Sequence, residues 1–346
     1  MHQEESGLGR RPTLAAELAE LGQPGLSAAR VIAQYRGRWM VAPVDDPMKA
    51  HAVLGERLVT ARGRVRADPP VTGDWVALDR AGAIAAVLER HGTLVRRAAG
   101  TTGEAQVLAA NVDLALVVES LPAPNERRAE RLVALALAGA VPTALLLTKT
   151  DLVCDGQSQA TGLARRLGVA EGIAVSATDG TGIGGLRCLL DAGATTALLG
   201  RSGVGKSTLV NTLLGEARQS TRPVRAGDGR GRHTTVGREL FTLPGGALIL
   251  DTPGLREVGL WEFPDAAFAD IDRLAAACRF GDCRHESEPD CAVRGAVDPK
   301  RVAAWRKLAR EHAWLEDRRD ESRWRKQQAR ALSRQINSAR RERGQR

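Results

Sequence analysis

The order of its nucleotide-binding motifs constrains this chain more than any other feature. A phosphate-binding loop, GRSGVGKST, runs from Gly200 to Thr208. Two segments with the form of base-reading motifs, Thr148-Lys149-Thr150-Asp151 and Ser176-Ala177, lie before it. His233-Thr234-Thr235 and Asp251-Thr252-Pro253-Gly254 lie after it. The usual domain of this kind begins with the phosphate loop and ends with the base-reading segments. Here the halves are exchanged, as in a circular permutation, so the segments that respond to a γ-phosphate sit next to the cysteine-rich, basic stretch near the C-terminus.

The pattern around the motifs is an α/β alternation. Val112 to Glu119 is a continuous apolar run, as expected of a strand buried on both faces. Helical stretches at 126–138, 158–167, 185–191 and 206–214 alternate with strands at 141–147, 172–175 and 195–199, and strands near 239–243 and 247–250 close the unit. This predicts a mostly parallel sheet with helices on both faces.

Each motif has a chemical reason. In G-x-x-x-x-G-K-[ST], formed here by Gly200, Arg201, Ser202, Gly203, Val204, Gly205, Lys206 and Ser207 and followed by Thr208, the glycines let backbone N–H groups surround phosphate oxygens. Lys206 is expected to reach the β- and γ-phosphates and Ser207 to ligate Mg²⁺. Asp251, 44 residues after Ser207, is expected to hold Mg²⁺ through water, with the Gly254 N–H meeting the γ-phosphate. Read alone, that tetrapeptide is also a common turn. Asp151 can accept from both N1–H and the exocyclic amine of guanine, and Lys149 can lie over the base and ribose. Thr148 stands where Asn is usual, and its hydroxyl can serve at guanine N7. Ser176-Ala177 can present a backbone N–H to guanine O6.

Ahead of this unit, RGRWMVAPV, RLVTARGRV, DWVALD and AAVLER are short alternating stretches between Gly, Pro and Asp, as in a small β-barrel. Gly73-Asp74-Trp75-Val76 resembles an OB-fold strand. Trp39, Trp75 and Tyr35 can stack on bases, or Trp75 can be core. Residues 1–35 read as an extension, with a short helical pattern from Leu14 to Leu21.

Three of the five cysteines, Cys278, Cys283 and Cys291, fall within fourteen residues, with His285 between them. Three thiolates and an imidazole match a closed tetrahedral Zn²⁺ site with no open position for catalysis. The alternative is reduced thiols and a surface histidine. Charge is uneven: the chain carries +9, and residues 300–346 contribute 16 basic and 6 acidic side chains. The tail suits a polyanionic partner, or is a solvated charged helix. The polar, mixed-charge start is unlike a secretory leader, and the apolar runs are too short to span a bilayer, so a cytoplasmic protein without a membrane partner is expected.

Together NVDLALVVES, TKTDL, GRSGVGKSTLVN, GRGRHTT, DTPGLRE and the Cys-Cys-His-Cys cluster, in this order, resemble the bacterial ribosome small-subunit-dependent GTPase A family (RsgA, also called YjeQ) across roughly residues 36–320. The resemblance implies an α/β fold: a circularly permuted P-loop GTPase domain (101–264), preceded by an OB-fold barrel (36–100) and followed by a helical zinc-binding domain (265–320) and a basic tail (321–346). It implies hydrolysis of GTP, with GTP, Mg²⁺ and one structural Zn²⁺ bound. It also implies binding to the 30S subunit and its 16S rRNA in late small-subunit maturation, and a monomer is expected. Two readings from other classes are a nucleotide-sensing RNA chaperone with little hydrolysis and a large-subunit assembly GTPase. By alignment of motifs, Leu255 stands where many GTPases orient water with Gln. Intrinsic hydrolysis is therefore expected to be slow, with His233 a candidate substitute beside Thr234 and Thr235 or else a structural or RNA-facing residue. Gly203 replaces the Asn of potassium-activated relatives.

Overall fold

The computed structural model describes residue 11 and residues 13–35, 37–44, 57–61, 65, 69–97, 105–215, 238–252, 268–281, 283–310 and 312–313. They divide into two compact units, one carrying the described residues up to Arg96 and from Gln106 to Thr252, the other Arg97, Ala105 and those from Phe268.

The first unit opens with helix α1 (Leu14–Glu20) and five short strands: β1 (Ser27–Tyr35), β2 (Arg38–Pro43), β3 (Arg57–Val59), β4 (Trp75–Leu78) and β5 (Ile84–Val87). β1 pairs antiparallel with both β2 and β4, β2 with β3, and β4 with β5. A bridge from Ala61 to Ile84 joins the far edges, closing a small barrel. Period-two alternation sorts its side chains. Ala29, Val31, Trp39, Val41, Val76, Leu78 and Ile84 form one cluster, whereas Ala28, Ala42, Trp75 and Ala77 turn the other way and pack with Leu14 and Leu18 of α1. Expecting the barrel to begin at Arg36 therefore missed its central strand, and the helical pattern from Leu14 is α1, packed on the barrel. Strand β1 was hidden by Arg30, a charge at its middle.

Arg30 is fully buried and heavily bonded. It donates to the carbonyls of Gly73 and Asn111 and to Thr195 Oγ1, and it lies 5.0 Å from the Trp75 ring centroid. Burial pushes its pKa down to about 10, against the pull of Asp113 and Asp74. Gly73 has φ +94°, and a Cβ there would lie 2.2 Å from the Ala110 carbonyl oxygen, so this close approach requires glycine.

A two-stranded ribbon, β6 (Leu94–Arg97) and β7 (Ala105–Ala109), precedes the α/β layer. That layer comprises β8 (Leu114–Ser120), α2 (Glu126–Ala138), β9 (Thr143–Thr148), α3 (Gly156–Leu167), β10 (Gly172–Val175), α4 (Ile183–Leu189), β11 (Thr195–Leu199), α5 (Lys206–Leu214), β12 (Glu239–Thr242) and β13 (Leu248–Asp251). Strand order is β10-β9-β8-β11-β13-β12, parallel except for β12. Ile183 and Leu186 of α4 and Leu209, Val210 and Leu213 of α5 pack on Leu116, Val118, Ala144 and Leu146. α2 and α3 pack against β8, β9 and β10 and against each other. Asn125 caps α2 by accepting from the Arg128 N–H at 2.9 Å. At Ala33↔Glu239 the end of β1 pairs antiparallel with β12, so barrel and α/β layer share one continuous sheet.

In the second unit, α6 (Ala269–Ala275) and the helical residues 299–310 flank the cysteine segment. Phe268, Ile271, Val293, Val302 and Leu308 are buried, and Arg301 grips Asp270 with two bonds of 2.8 and 2.9 Å. Among the described residues no helix is long and apolar enough to cross a membrane.

Candidate nucleotide-binding site and metal centre

The parallel strands all end on one side of the sheet, and each motif sits at or just past one of those ends. TKTD adjoins the end of β9, Ser176-Ala177 that of β10 and the P-loop that of β11, while Asp251 closes β13. The carboxyl ends of parallel strands are where open α/β sheets bind ligands. Four segments far apart in sequence therefore meet along one edge of the sheet.

The P-loop turns from β11 into α5 with Gly203 at φ 88° and Gly205, the residue before the helix, at φ 96°, where L side chains are strained. Lys206 is only 6% exposed. Its Nζ donates to the Gly200 and Arg201 carbonyls at 2.7 and 3.2 Å, curling the loop around the ammonium. Burial lowers the pKa of this ammonium, and the carboxylates of Asp251 and Glu119 pull it back up. Arg201, Ser202, Gly203 and Thr208 are exposed, Val204 is buried, and Ser207 and Gly205 are half-buried. Asp251 pairs with Leu198 in register, and the neighbouring Thr252 hydroxyl donates to the Leu198 carbonyl at 2.6 Å. These bonds fix the height of the Asp251 carboxylate relative to the P-loop strand. Ser207 and Asp251 offer a hydroxyl and a carboxylate, the hard oxygen donors that Mg²⁺ selects, so both fit that ion.

The TKTD and Ser176-Ala177 segments are held from behind. Thr148 Oγ1 lies 2.5 Å from the Val204 carbonyl oxygen and 3.2 Å from that of Glu119. Lys149, in a left-handed conformation at φ 60°, reaches the Gly203 carbonyl with Nζ at 3.3 Å. Thr150 is buried beneath the loop, and Asp151 is exposed. Ser176 is fully buried: its hydroxyl accepts from the Thr178 and Asp179 N–H groups, and its own N–H bonds the Thr181 carbonyl. The turn carrying Ala177 is thereby set.

Glu119 escaped the motif reading, although it closes an apolar strand shortly before a proline-containing turn. It is buried at the end of β8, between the P-loop and TKTD strands, and accepts from the Asn125 N–H at 3.2 Å and from Arg128 Nε at 2.6 Å and Nη2. His233, Thr234, Thr235, Pro253, Gly254 and Leu255 lie outside the described residues. Trp39 is barrel core and donates Nε1 to the Pro70 carbonyl at 2.6 Å, and Trp75 is buried on the other face with Leu14 and Leu18 of α1; only Tyr35 of the three stacking candidates is exposed.

In the second unit, Cys278, Cys283, His285 and Cys291 place one ligand atom each within 4.8 Å of one another. His285 Nδ1 lies 3.7 Å from Cys278 Sγ and 3.4 Å from Cys291 Sγ. Ligands about 2.0–2.3 Å from a tetrahedral zinc lie roughly 3.5–3.8 Å apart, so this cluster fits Zn²⁺. His285 is buried and rests 5.3 Å from the Trp305 ring. Burial and the neighbouring thiols push the Cys283 thiol up. Burial also opposes ionisation of Cys291, but the Arg294 N–H and the His285 ring outweigh it and bring its pKa down. Between these ligands the Glu288 carboxylate accepts from the backbone N–H groups of Arg284, Glu286 and Ser287, pinning the loop.

The RsgA GTPase family model matches residues 87–261. The "Small ribosomal subunit biogenesis GTPase RsgA" of Opitutus terrae is 43% identical over 295 residues, covering 77% of this chain and 80% of that protein. Its namesake in Streptomyces coelicolor is 40% identical over 326 residues, covering 90% of this chain and 87% of that protein. The chain belongs to the RsgA GTPase family. Crystal structures share the fold of this RsgA-family chain. YjeQ from Thermotoga maritima aligns with TM-score 0.58 and 23% identity over 83% of this chain and 99% of that one. YloQ, described as a circularly permuted GTPase, aligns with TM-score 0.53 and 22% identity over 86% and 96%.

Proposed function

We propose that this chain hydrolyses GTP to GDP and phosphate in the service of small ribosomal subunit maturation, binding the 30S particle and its 16S rRNA as a cytoplasmic monomer. The observation that carries the reading is the convergence of TKTD, Ser176-Ala177, the P-loop and Asp251 on one edge of the sheet, in a chain whose relatives are named for this process.

In this reading the backbone of Gly200 to Thr208 cradles the phosphates. Lys206 exchanges its loop carbonyls for β- and γ-phosphate oxygens. Ser207 and Asp251 hold Mg²⁺, which when bound neutralises charge on the phosphates. Asp151 accepts from the guanine N1–H and exocyclic amine, Lys149 covers the base, and the Ser176-Ala177 turn offers an N–H to O6. Thr234 or Thr235 and the Gly254 N–H sense the γ-phosphate, and His233 orients water in place of the glutamine missing at Leu255. The barrel, which includes β1, the 265–320 zinc module and the basic tail form the RNA-facing parts around a 101–264 GTPase domain. The deciding experiment is GTP hydrolysis with and without purified 30S or 50S subunits. Stimulation by 30S alone is expected. Stimulation by 50S, or none by either, would reject the assignment.

Base choice depends on Asp151. Asp151→Asn turns an acceptor toward guanine into a mixed donor and acceptor and removes a charge-assisted bond, so GTP affinity is expected to fall by about 1–3 kcal/mol. Titration of a fluorescent GTP analogue checks this. Equal wild-type affinity for ATP and GTP would sink the assignment of Asp151.

Salt dependence tests the tail. If its Lys and Arg side chains meet phosphates, 30S affinity falls steeply with salt. Deleting residues 323–346 removes Arg323, Arg325, Lys326, Arg330 and Arg334 among others and is expected to flatten that slope, by roughly one for each phosphate the shortened chain no longer neutralises. An unchanged slope would make the tail a solvated bystander.

A further inference from the structure

Resting on the assignment of the site to GTP, we infer that Thr148 is a positioning residue. It commits its one hydroxyl proton to the P-loop and leaves the N7 edge of guanine unread. A threonine hydroxyl has a single proton and two lone pairs. Both groups beside Thr148 Oγ1 are carbonyl acceptors: Val204 at 2.5 Å and Glu119 at 3.2 Å. The shorter contact takes the proton, and the longer one at most shares it. Guanine N7 is itself an acceptor, so a group that reads it must donate. Thr148 has only lone pairs left to offer. An asparagine in its place would bring two N–H donors and could satisfy a loop carbonyl and N7 together.

What Thr148 provides instead is register. Val204 is the residue before Gly205, the entry to α5, and Thr148 is the last residue of β9. The bond therefore ties the strand end that carries Lys149 and Asp151 to the loop that carries Lys206. The Thr148 side chain also packs on the loop: a Cβ on Gly205 would meet its Oγ1, Cβ and Cγ2 at 3.5, 3.7 and 3.8 Å. Thr148 is only 5% exposed, so water does not compete for its proton. Base discrimination then falls to Asp151 and the Ser176-Ala177 turn, which address the Watson–Crick edge.

The test is competition binding of GTP and 7-deaza-GTP, which lacks only the N7 acceptor, to the full chain, to Thr148→Val and to Thr148→Ser. Loss of one hydrogen bond between neutral groups is worth roughly two- to tenfold in affinity. The wild type is expected to bind the two nucleotides within about twofold of each other, below that scale. Thr148→Val, which keeps the shape and loses the proton, is expected to weaken both by the same factor, on the order of tenfold, because the two loops lose their tie. Thr148→Ser is expected to restore both. A wild type that disfavours 7-deaza-GTP by about tenfold shows that N7 is read and overturns the inference, whichever residue reads it. A folded Thr148→Val chain that binds both nucleotides like the wild type overturns the positioning role. Should that variant not fold, the wild-type comparison still decides whether N7 is read, and Thr148→Ala, which also lacks the hydroxyl, decides its role: equal loss for both nucleotides supports it, and wild-type binding overturns it. Failure of the underlying GTP assignment looks different: GTP would then compete no better than ATP.

Discussion

Cys283→Ala is expected to unfold the second unit locally while leaving GTP affinity close to that of the unchanged chain. Among the described residues its buried apolar side chains are few: Phe268, Ile271, Val293, Val302 and Leu308. A core of this size does not by itself offset the entropy of ordering the loops around it, and small modules of this kind rely on a staple. The four-ligand cluster supplies one. Metal binding at such sites contributes on the order of 10 kcal/mol to folding, far more than the Arg301–Asp270 pair or the Glu288 loop bonds. Losing one thiolate leaves two thiols and an imidazole around an incomplete shell. The nucleotide motifs belong to the other compact unit, which has its own sheet and core, so their affinity is expected to survive. Elemental analysis should find one zinc per chain in protein purified without chelators and none in the variant. Limited proteolysis should cut the variant between Phe268 and Leu308. An intact chain with no zinc would remove the metal assignment.

Asp74→Ala is expected to destabilise the barrel by about 3–5 kcal/mol, the cost of breaking a buried ion pair from one side. The Asp74 side chain is fully buried, while that of Arg90 is 16% exposed. The carboxylate accepts Arg90 Nε and Nη2 at 2.8 and 2.7 Å and the Val71 N–H at 2.8 Å. Alanine leaves a largely buried guanidinium and an amide without this acceptor. The double replacement Asp74→Leu, Arg90→Met removes both charges and is expected to recover most of the loss, since apolar residues of similar volume often do as well as a buried pair. Urea unfolding of the single and double variants measures the coupling directly. A single-variant loss below about 1 kcal/mol, the scale of an exposed pair, would show that Arg90 relaxes to solvent instead.

Much of the nucleotide site was legible because its signals are local. Glycines at fixed spacing, an apolar strand before them and an amphipathic stretch after them specify a strand–loop–helix, and α5 begins at Lys206 as that pattern predicts. α2 starts where Asn125 can cap it and β10 spans four residues between turn signals; both match the sequence expectation at each end. The barrel was half legible. DWVALD is a short apolar run bounded by aspartates, which reads as a strand, but Ser27 to Tyr35 carries Arg30 at its centre, and a lone charge reads as a solvated face. Only the barrel packed on the α/β layer offers Arg30 two carbonyls, a threonine hydroxyl and an aromatic ring at once: Gly73 and Trp75 come from the barrel, Asn111 and Thr195 from the layer.

The sequence by itself determined the permuted motif order, the residue types at each nucleotide position and the four-ligand spacing around His285. Covalent order and local spacing carry that information without any tertiary contact. Tertiary structure alone decided where protons and charges go. That the Thr148 hydroxyl faces Val204, 56 residues away, depends on β8 lying between β9 and β11 in the sheet. That Glu119 sits beneath the same junction, paired with Arg128, depends on α2 folding back over β8. That Trp39 and Trp75 are core rather than base-stacking surface depends on barrel closure at Ala61 and Ile84 for the first and on the packing of α1 for the second. Hydrogen-bond partners and burial are properties of distance between segments, and distance between segments is set only when the sheet and the barrel have closed.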